Sequence, residues 1–405
     1  MSDTTVGFNP FAPGFAEDPY PHYEWLRDND PVHESPLGLW VLASHDEVFR
    51  MLRDPSLSVE DRNASGGVLE ELARQALGEE RANRGSHAML NRDPPDHTRL
   101  RKLVSQAFTP RTVEALRPRI GELVAGKLDR AAEAGEMEVV GELAFPLPFE
   151  VISEMLGMPD TDRHQLREWS GTLVRSLEPV VDPDVLRAIA AAGDNMRELL
   201  SGVIEWKRAH PADDLVSALI AAEEHGDVLS DEELLEQVIL LYVAGHETTV
   251  NLIGNGTLAL LRHPDQLERL MGDPLLITNA VEELLRYDSP VQMSRRVTRH
   301  NMDVRGREIP AGTFVVVVLA SANRDEAFWG PTAATLDLGR GRANQHVSFG
   351  GGAHYCLGAA LARLEAQIAI GGLVERFPRI EPASEPVWNG RLNLRGVDRL
   401  PVAVG

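Results

Sequence analysis

His346-Val-Ser-Phe-Gly-Gly-Gly-Ala-His-Tyr-Cys-Leu-Gly358 holds Cys356, the single cysteine among 405 residues. A lone cysteine has no partner for an intrachain disulfide. Gly350, Gly351 and Gly352 precede it, and Leu357, Leu361, Leu364 and Ile368 follow at i, i+4, i+7 and i+11. That spacing predicts a helix over 357–370 with the sulfur at its N-terminus, where unpaired N–H groups and the positive dipole end favour a thiolate. Glycines let a backbone approach a flat ligand closely and turn amides toward a metal-bound sulfur. The residues alone leave two readings open: a buried structural cysteine, or a loop that presents one anionic sulfur to something planar.

Phe349, Gly352, Cys356 and Gly358 stand in the pattern Phe-x2-Gly-x3-Cys-x-Gly. This resembles the haem-binding loop of the cytochrome P450 family. The resemblance implies that Cys356 is the proximal ligand of the iron in haem b (iron protoporphyrin IX). A thiolate there pushes electron density onto the iron and favours O–O cleavage.

Composition is compatible with that reading. Apolar residues make up 43% and charged residues 25%, ordinary values for a soluble globular protein. No linker, repeat or low-complexity tract offers a place to divide the chain, so residues 1–405 are expected to form one domain. Met1 to Pro21 has neither a signal-peptide h-region nor a spanning run, and one cysteine suits a reducing compartment, so the expected location is cytoplasmic with no membrane partner. A formal charge of -22 argues against nucleic acid as a partner.

Upstream, the patterns predict a helix over 21–28, two strands around Leu39-Trp-Val-Leu42 and a helix over 45–52. From Asp61 to Arg92 the breakers Asn63, Gly66, Gly67, Asn83 and Gly85 predict an irregular segment. Pro94-Pro95 ends it and a helix follows, with His97 and Arg101 on one face. Alone, that spacing describes a solvated basic face. The run Asp-Pro-Pro-x-His-x3-Arg is similar to the family helix that contacts the haem propionates, which assigns His97 and Arg101 to that role.

Residues 110–225 read as successive amphipathic helices with irregular joints at 145–148 and 178–183. The resemblance places a mobile substrate lid at about 165–205. Ser230-Asp-Glu-Glu233 is a capping box that opens a helix to Arg262, roughly 45–50 Å long. At its centre stands Ala244-Gly245-His246-Glu247-Thr248-Thr249. Small residues there admit a flat group or dioxygen, and threonine hydroxyls bonded one turn back are expected to open the helix. His246-Glu247 begins a zinc-protease pattern, but Val250 occupies the position of its second histidine. The segment looks like the P450 oxygen-binding helix, which implies cofactor contacts at Ala244 and Gly245 and proton delivery by Glu247 and Thr248. His246 reads as packing or pocket wall.

Glu283 and Arg286 resemble the family's Glu-x-x-Arg element, and Arg340 is the candidate third member of that ion-pair cluster. Val291 and Met293 match the family's pocket-lining strand, with the lid region that the resemblance implies, residues 61–90 and the turn near Trp388 as further walls. Arg296 matches a propionate-binding arginine, which requires Arg295 to face the other way on the strand. His346 and His354 flank the cysteine loop, and His354 is the better propionate candidate. Phe314-Val-Val-Val-Val-Leu319 reads as a strand buried on both faces.

The family resemblance implies a mainly α fold with a small β part and a monooxygenase acting on a mid-sized apolar small molecule. Macrolides, terpenoids and fatty acyl compounds all fit. O2 is the co-substrate. A chain of this length is expected to take electrons from ferredoxin and ferredoxin reductase, with Arg101, Lys102 and Arg363 as compatible basic residues. Two alternatives stay open: a peroxide-driven peroxygenase, and a non-catalytic haem-binding sensor or recruitment protein of the same fold.

Overall fold

The strand Phe314–Val318 shows why the β part forms where it does. It lies in a four-stranded sheet between Trp40–Leu42, parallel to it, and Met293–Val297, antiparallel to it, with Val32–Glu34 antiparallel on the outer side of Trp40–Leu42. Val315 and Val317 pack with Leu42, Val48 and Met51, whereas Val316 and Val318 pack with Phe15, Tyr23, Leu26 and Val41. Alternate side chains therefore enter two different cores, which explains the unbroken apolar run. Register pairs Arg295 with Val316 and Arg296 with Val315. Arg295 is exposed and Arg296 buried, and a slip of one residue would exchange them.

The computed structural model describes residues 8–36, 38–66, 68–79, 85–159, 163–224 and 227–405. Met1 to Gly7, Gly67 and Asn83, which entered the sequence reading, lie outside the described residues. Helix accounts for 58% of the chain and strand for 11%, a mainly α fold with a small β part. The chain groups into two compact units, one of Met1–Leu57, Arg117–Leu147 and Thr248–Gly405, the other of Ser58–Leu116 and Pro148–Glu247.

In the first unit the helix that follows the cysteine loop, Ala359–Arg376, packs between Arg117–Ala134 and Ile277–Tyr287. Adjacent glycines allow this on two sides: a Cβ on Gly371 would lie 3.3 Å from Ile277, and one on Gly372 would lie 3.2 Å from Val124. The predicted helices near the N-terminus are Tyr20–Asn29 and His45–Arg53. Phe145 to Pro148 differs from its prediction. It opens a helix, Pro146–Leu156, instead of an irregular joint, because prolines in a first helical turn lack only N–H groups that have no intrahelical acceptor.

In the second unit a helix, Val68–Leu77, interrupts the segment expected to be irregular, and it packs on Pro183–Ala209. Its sequence is rich in strong helix formers, Leu69, Glu70, Glu71, Leu72 and Ala73 among them. Gly78, left-handed at φ +82°, caps its end, and its N–H donates to Arg74 O at 2.9 Å. Of the breakers that predicted an irregular segment, Gly66 and Gly67 immediately precede this helix in the sequence.

The helix Asp231–Arg262 is continuous across the boundary between Glu247 and Thr248. Its capping box forms reciprocally: Ser230 N–H donates to Glu233 Oε2 at 2.9 Å, and Glu233 N–H to Ser230 Oγ at 3.3 Å. No helix among the described residues is long and apolar enough to cross a membrane.

Candidate active site

Backbone hydrogen bonds close the cysteine loop on itself. Gly350 N–H donates to Val347 O at 2.8 Å, Tyr355 N–H to Gly352 O at 3.2 Å, and Cys356 N–H to Phe349 O at 3.0 Å. Gly352 is left-handed at φ +65°, and a Cβ on it would stand 2.6 Å from the carbonyl oxygen of Leu52. Only glycine therefore lets the loop lie against the end of the His45–Arg53 helix. Cys356 is exposed. Leu357 and Gly358 form a turn, and the helix begins at Ala359 with Gly358 as N-cap. The sulfur thus sits farther from the helix start than the apolar spacing predicts, and the dipole acts on it more weakly.

His354 is half-buried at the end of the turn Gly352–His354. Arg296 is buried on the sheet edge, where its Nη1 donates to Ser294 Oγ at 3.0 Å and Arg295 O at 2.7 Å. Val291 and Met293 are part-buried and held by the segment that follows Trp388. Val291 bridges Leu394, and Met293 N–H donates to Asn393 Oδ1 at 3.0 Å. Trp388 pairs in a strand with Val397, so the chain turns just after it, and Arg395 stacks on its ring at 3.8 Å.

In the second unit His97 and Arg101 share the helix Asp96–Ala107. His97 is buried, and its pKa falls below the ordinary imidazole value, first through burial and then through the Arg101 charge. The preceding loop is pinned by Asp93, whose carboxylate accepts from Ser58 Oγ at 2.5 Å and Val59 N–H at 2.9 Å.

The central stretch of the long helix is uninterrupted α-helix, so the opening expected at the threonines is absent. Thr249 is buried, beside the carboxyl of Glu365, whose pKa burial drives well above the usual value while Thr249 opposes the rise. His246 is packing: wholly buried, edge-on to Phe149 at 5.8 Å, with Nδ1 bonded to Tyr242 O at 3.1 Å. A Cβ on Gly245 would lie 3.2 Å from Ile152, so helix packing on that side requires its size. Ala244 is exposed, with Glu247 and Thr248 part-buried at i+3 and i+4. One face of a largely buried helix thus presents a methyl group, a carboxylate and a hydroxyl together.

Glu283 and Arg286 are fully buried. Arg286 donates Nε to Glu283 Oε2 at 2.7 Å and Nη2 to Oε1 at 2.8 Å. Arg340 Nε reaches the two carboxylate oxygens at 3.0 and 3.1 Å, so all three members meet. Carbonyls of Asn323, Ala333 and Thr335 take further Arg286 donors.

The cytochrome P450 family model matches residues 39–273 and 274–389. The chain belongs to the cytochrome P450 family. It is 45% identical to cytochrome P450 107B1 of Saccharopolyspora erythraea over 98% of this chain and 97% of that one. It is 42% identical to the vitamin D(3) 25-hydroxylase of Pseudonocardia autotrophica, with 100% and 99% covered. Among solved structures it matches P450BioI in complex with hexadec-9Z-enoic acid ligated acyl carrier protein at a TM-score of 0.88. That match has 36% identity and covers 96% and 99% of the two chains.

This P450 is therefore an oxidoreductase of monooxygenase type, working with haem iron, a small-molecule substrate, O2 and redox partners. The side chains present suit that cofactor. An exposed cysteine sulfur on a glycine-shaped loop provides a soft anionic ligand, and His354 and Arg296 provide donors that carboxylates require. Arg363, one of the basic residues compatible with partner docking, is paired with Glu282, Nε to Oε1 at 2.5 Å and Nη2 to Oε2 at 2.9 Å. Glu282 itself was not singled out by the sequence reading. Its signal there is only a second carboxylate beside Glu283.

Proposed function

We propose that this P450 hydroxylates or epoxidises a mid-sized, largely apolar small molecule, with Cys356 holding haem b and a ferredoxin with its reductase supplying electrons. The observation that carries this reading is the mixed face of the long helix, where Ala244, Glu247 and Thr248 lie together. A secondary metabolite such as a macrolide or terpenoid, or a fatty acyl compound, suits that face. The vitamin D(3) and hexadecenoic acid of the relatives' names support the apolar class.

His354, Arg296, His97 and Arg101 would receive the haem carboxylates, with Phe349, Gly352 and Gly358 shaping the loop beside the thiolate. Bound there, haem supplies dioxygen activation and transfer of one oxygen atom to carbon. Val291 and Met293 orient the apolar substrate, and Ala244 leaves room for it beside the helix. Glu247 takes protons from solvent and Thr248 passes them on, two for each O2, so that one oxygen leaves as water.

The test is the ferrous–CO difference spectrum of the purified protein, followed by turnover of an apolar compound library with NADPH, ferredoxin and reductase, or with peroxide alone. A thiolate-type Soret band lost in Cys356→Ala, with NADPH-dependent product, supports the proposal. Product with peroxide but not with the redox partners refutes the electron route, and absence of the thiolate band refutes the whole reading.

A further inference from the structure

Glu282 and Glu283 are neighbours on one helix, and their carboxylates serve different structures. Glu283 holds Arg286 and Arg340. Glu282 reaches the cysteine loop from both of its ends. Arg363, seven residues after Cys356, donates Nε to Glu282 Oε1 at 2.5 Å and Nη2 to Oε2 at 2.9 Å. His346, ten residues before Cys356, stands with Nε2 at 3.2 Å from Glu282 Oε2. Because His346 Nδ1 accepts from Ser348 N–H at 3.1 Å, the network assigns the ring proton to Nε2, which donates to Glu282.

Both arms continue to the residues that frame the sulfur. The Arg363 guanidinium lies over the Phe349 ring at 4.5 Å, and its Nη1 donates to the Tyr355 hydroxyl at 3.3 Å. Phe349 O in turn accepts the Cys356 N–H. On the other arm, Ser348 Oγ donates to Leu285 O at 2.7 Å, one turn along the Glu282 helix, and Val347 N–H donates to Asn323 Oδ1 at 2.8 Å. Burial pushes the Glu282 carboxyl up, but the bonds from His346 and Arg363 outweigh it and hold it at about 2.

We infer that Glu282 is a positioning residue for the thiolate ligand: through Arg363 and His346 it clamps the two ends of the 346–358 loop and fixes where Cys356 presents its sulfur. The inference rests on the P450 reading for its consequence, the persistence of a thiolate-ligated haem. The clamp itself is a property of this chain. Glu283 stabilises the scaffold, whereas Glu282 sets the loop.

Haem-loaded full-length Glu282→Gln, Arg363→Lys and His346→Gln are compared with wild type by melting temperature and by hydrogen exchange of the 346–358 amides. The third readout is the rate at which the thiolate-type ferrous–CO band converts to the thiol type in sub-denaturing guanidinium. Loss of about one net charge-assisted bond predicts roughly 10- to 150-fold faster loop exchange and band conversion in each variant. Glu282→Gln/Arg363→Lys should be no worse than the worse of its two single changes, because the two act as one unit. Exchange and conversion within twofold of wild type in Glu282→Gln would overturn the inference. If Glu282→Gln fails to retain haem, Arg363→Lys, which keeps the charge but loses the fork, decides it by the same two rates. If wild type shows no thiolate band, the P450 function falls, and loop exchange in the variants still decides whether the clamp exists.

Discussion

Glu283→Gln removes one buried negative charge from between two buried guanidinium groups. Arg286 and Glu283 have no exposed side-chain surface and Arg340 has 9%. The change therefore turns a cluster of net charge +1 into one of +2 without giving either arginine access to water. Backbone carbonyls remain as acceptors for Arg286, and a glutamine oxygen can keep one donor, so the fork geometry is only partly lost. Breaking one partner from a buried pair of this kind costs about 3–5 kcal/mol. An unfolding entropy near 2.1 cal/mol/K per residue, over 405 residues, is about 0.85 kcal/mol/K, so the melting temperature should fall by about 4–6 °C. The assay is thermal unfolding by far-UV circular dichroism, with haem-to-protein ratio as the second readout. Asp184→Asn, which breaks the exposed pair with Arg187, is the control and should cost less than about 1 kcal/mol. A Glu283→Gln protein melting within 1 °C of wild type would refute the reasoning, because the buried charges would then have found other compensation.

Thr248→Ala should leave haem and substrate binding intact while diverting electrons to peroxide, measured as NADPH consumed against product formed; unchanged coupling removes Thr248 from proton delivery. Glu247→Gln should lower the product rate on the order of 100-fold through loss of an acid–base group, read as turnover of the same substrate. Gly352→Ala forces a side chain into a left-handed residue and onto the Leu52 carbonyl, a strain of about 1–3 kcal/mol. Gly358→Ala meets no protein atom within 4 Å, so haem-free protein carrying it should melt like wild type while Gly352→Ala melts lower. Ser230→Ala should cost about 0.5–2 kcal/mol by removing a cap. Burial raises the Glu233 pKa, but bonds from Arg99 and Ser230 bring it below its ordinary 4.5. Its contribution is complete above about pH 4.5 and is lost as pH falls through the lower folded value, so Glu233→Gln should flatten that part of an acid-unfolding curve.

The cysteine loop, the capping box and the Glu-x-x-Arg pair were legible in the sequence because each is a local device. Spacing along the chain sets which side chains share a turn or a helix face, and the chemistry of one thiol among glycines is unusual on its own. Even Arg295 and Arg296 were separable, since a strand sends neighbours to opposite faces. Val68–Leu77 was missed because its flanking glycines outweighed its helix formers, and its packing on Pro183–Ala209 involves residues more than a hundred positions away.

By itself, then, the sequence determined the family, and it singled out the thiol proposed as iron ligand and the acid–alcohol face, each motif carried by residues within about a dozen positions. Only the tertiary structure decided what adjacent residues face. A helix turns about 100° per residue, so Glu282 and Glu283 necessarily diverge, but periodicity does not say that one meets Arg340 and the other Arg363, 81 positions away. The same holds for Gly245 against Ile152 and for the inward turn of Arg363. Such partners are chosen by how helices pack, and a buried charge takes whichever opposite charge that packing brings within hydrogen-bond reach.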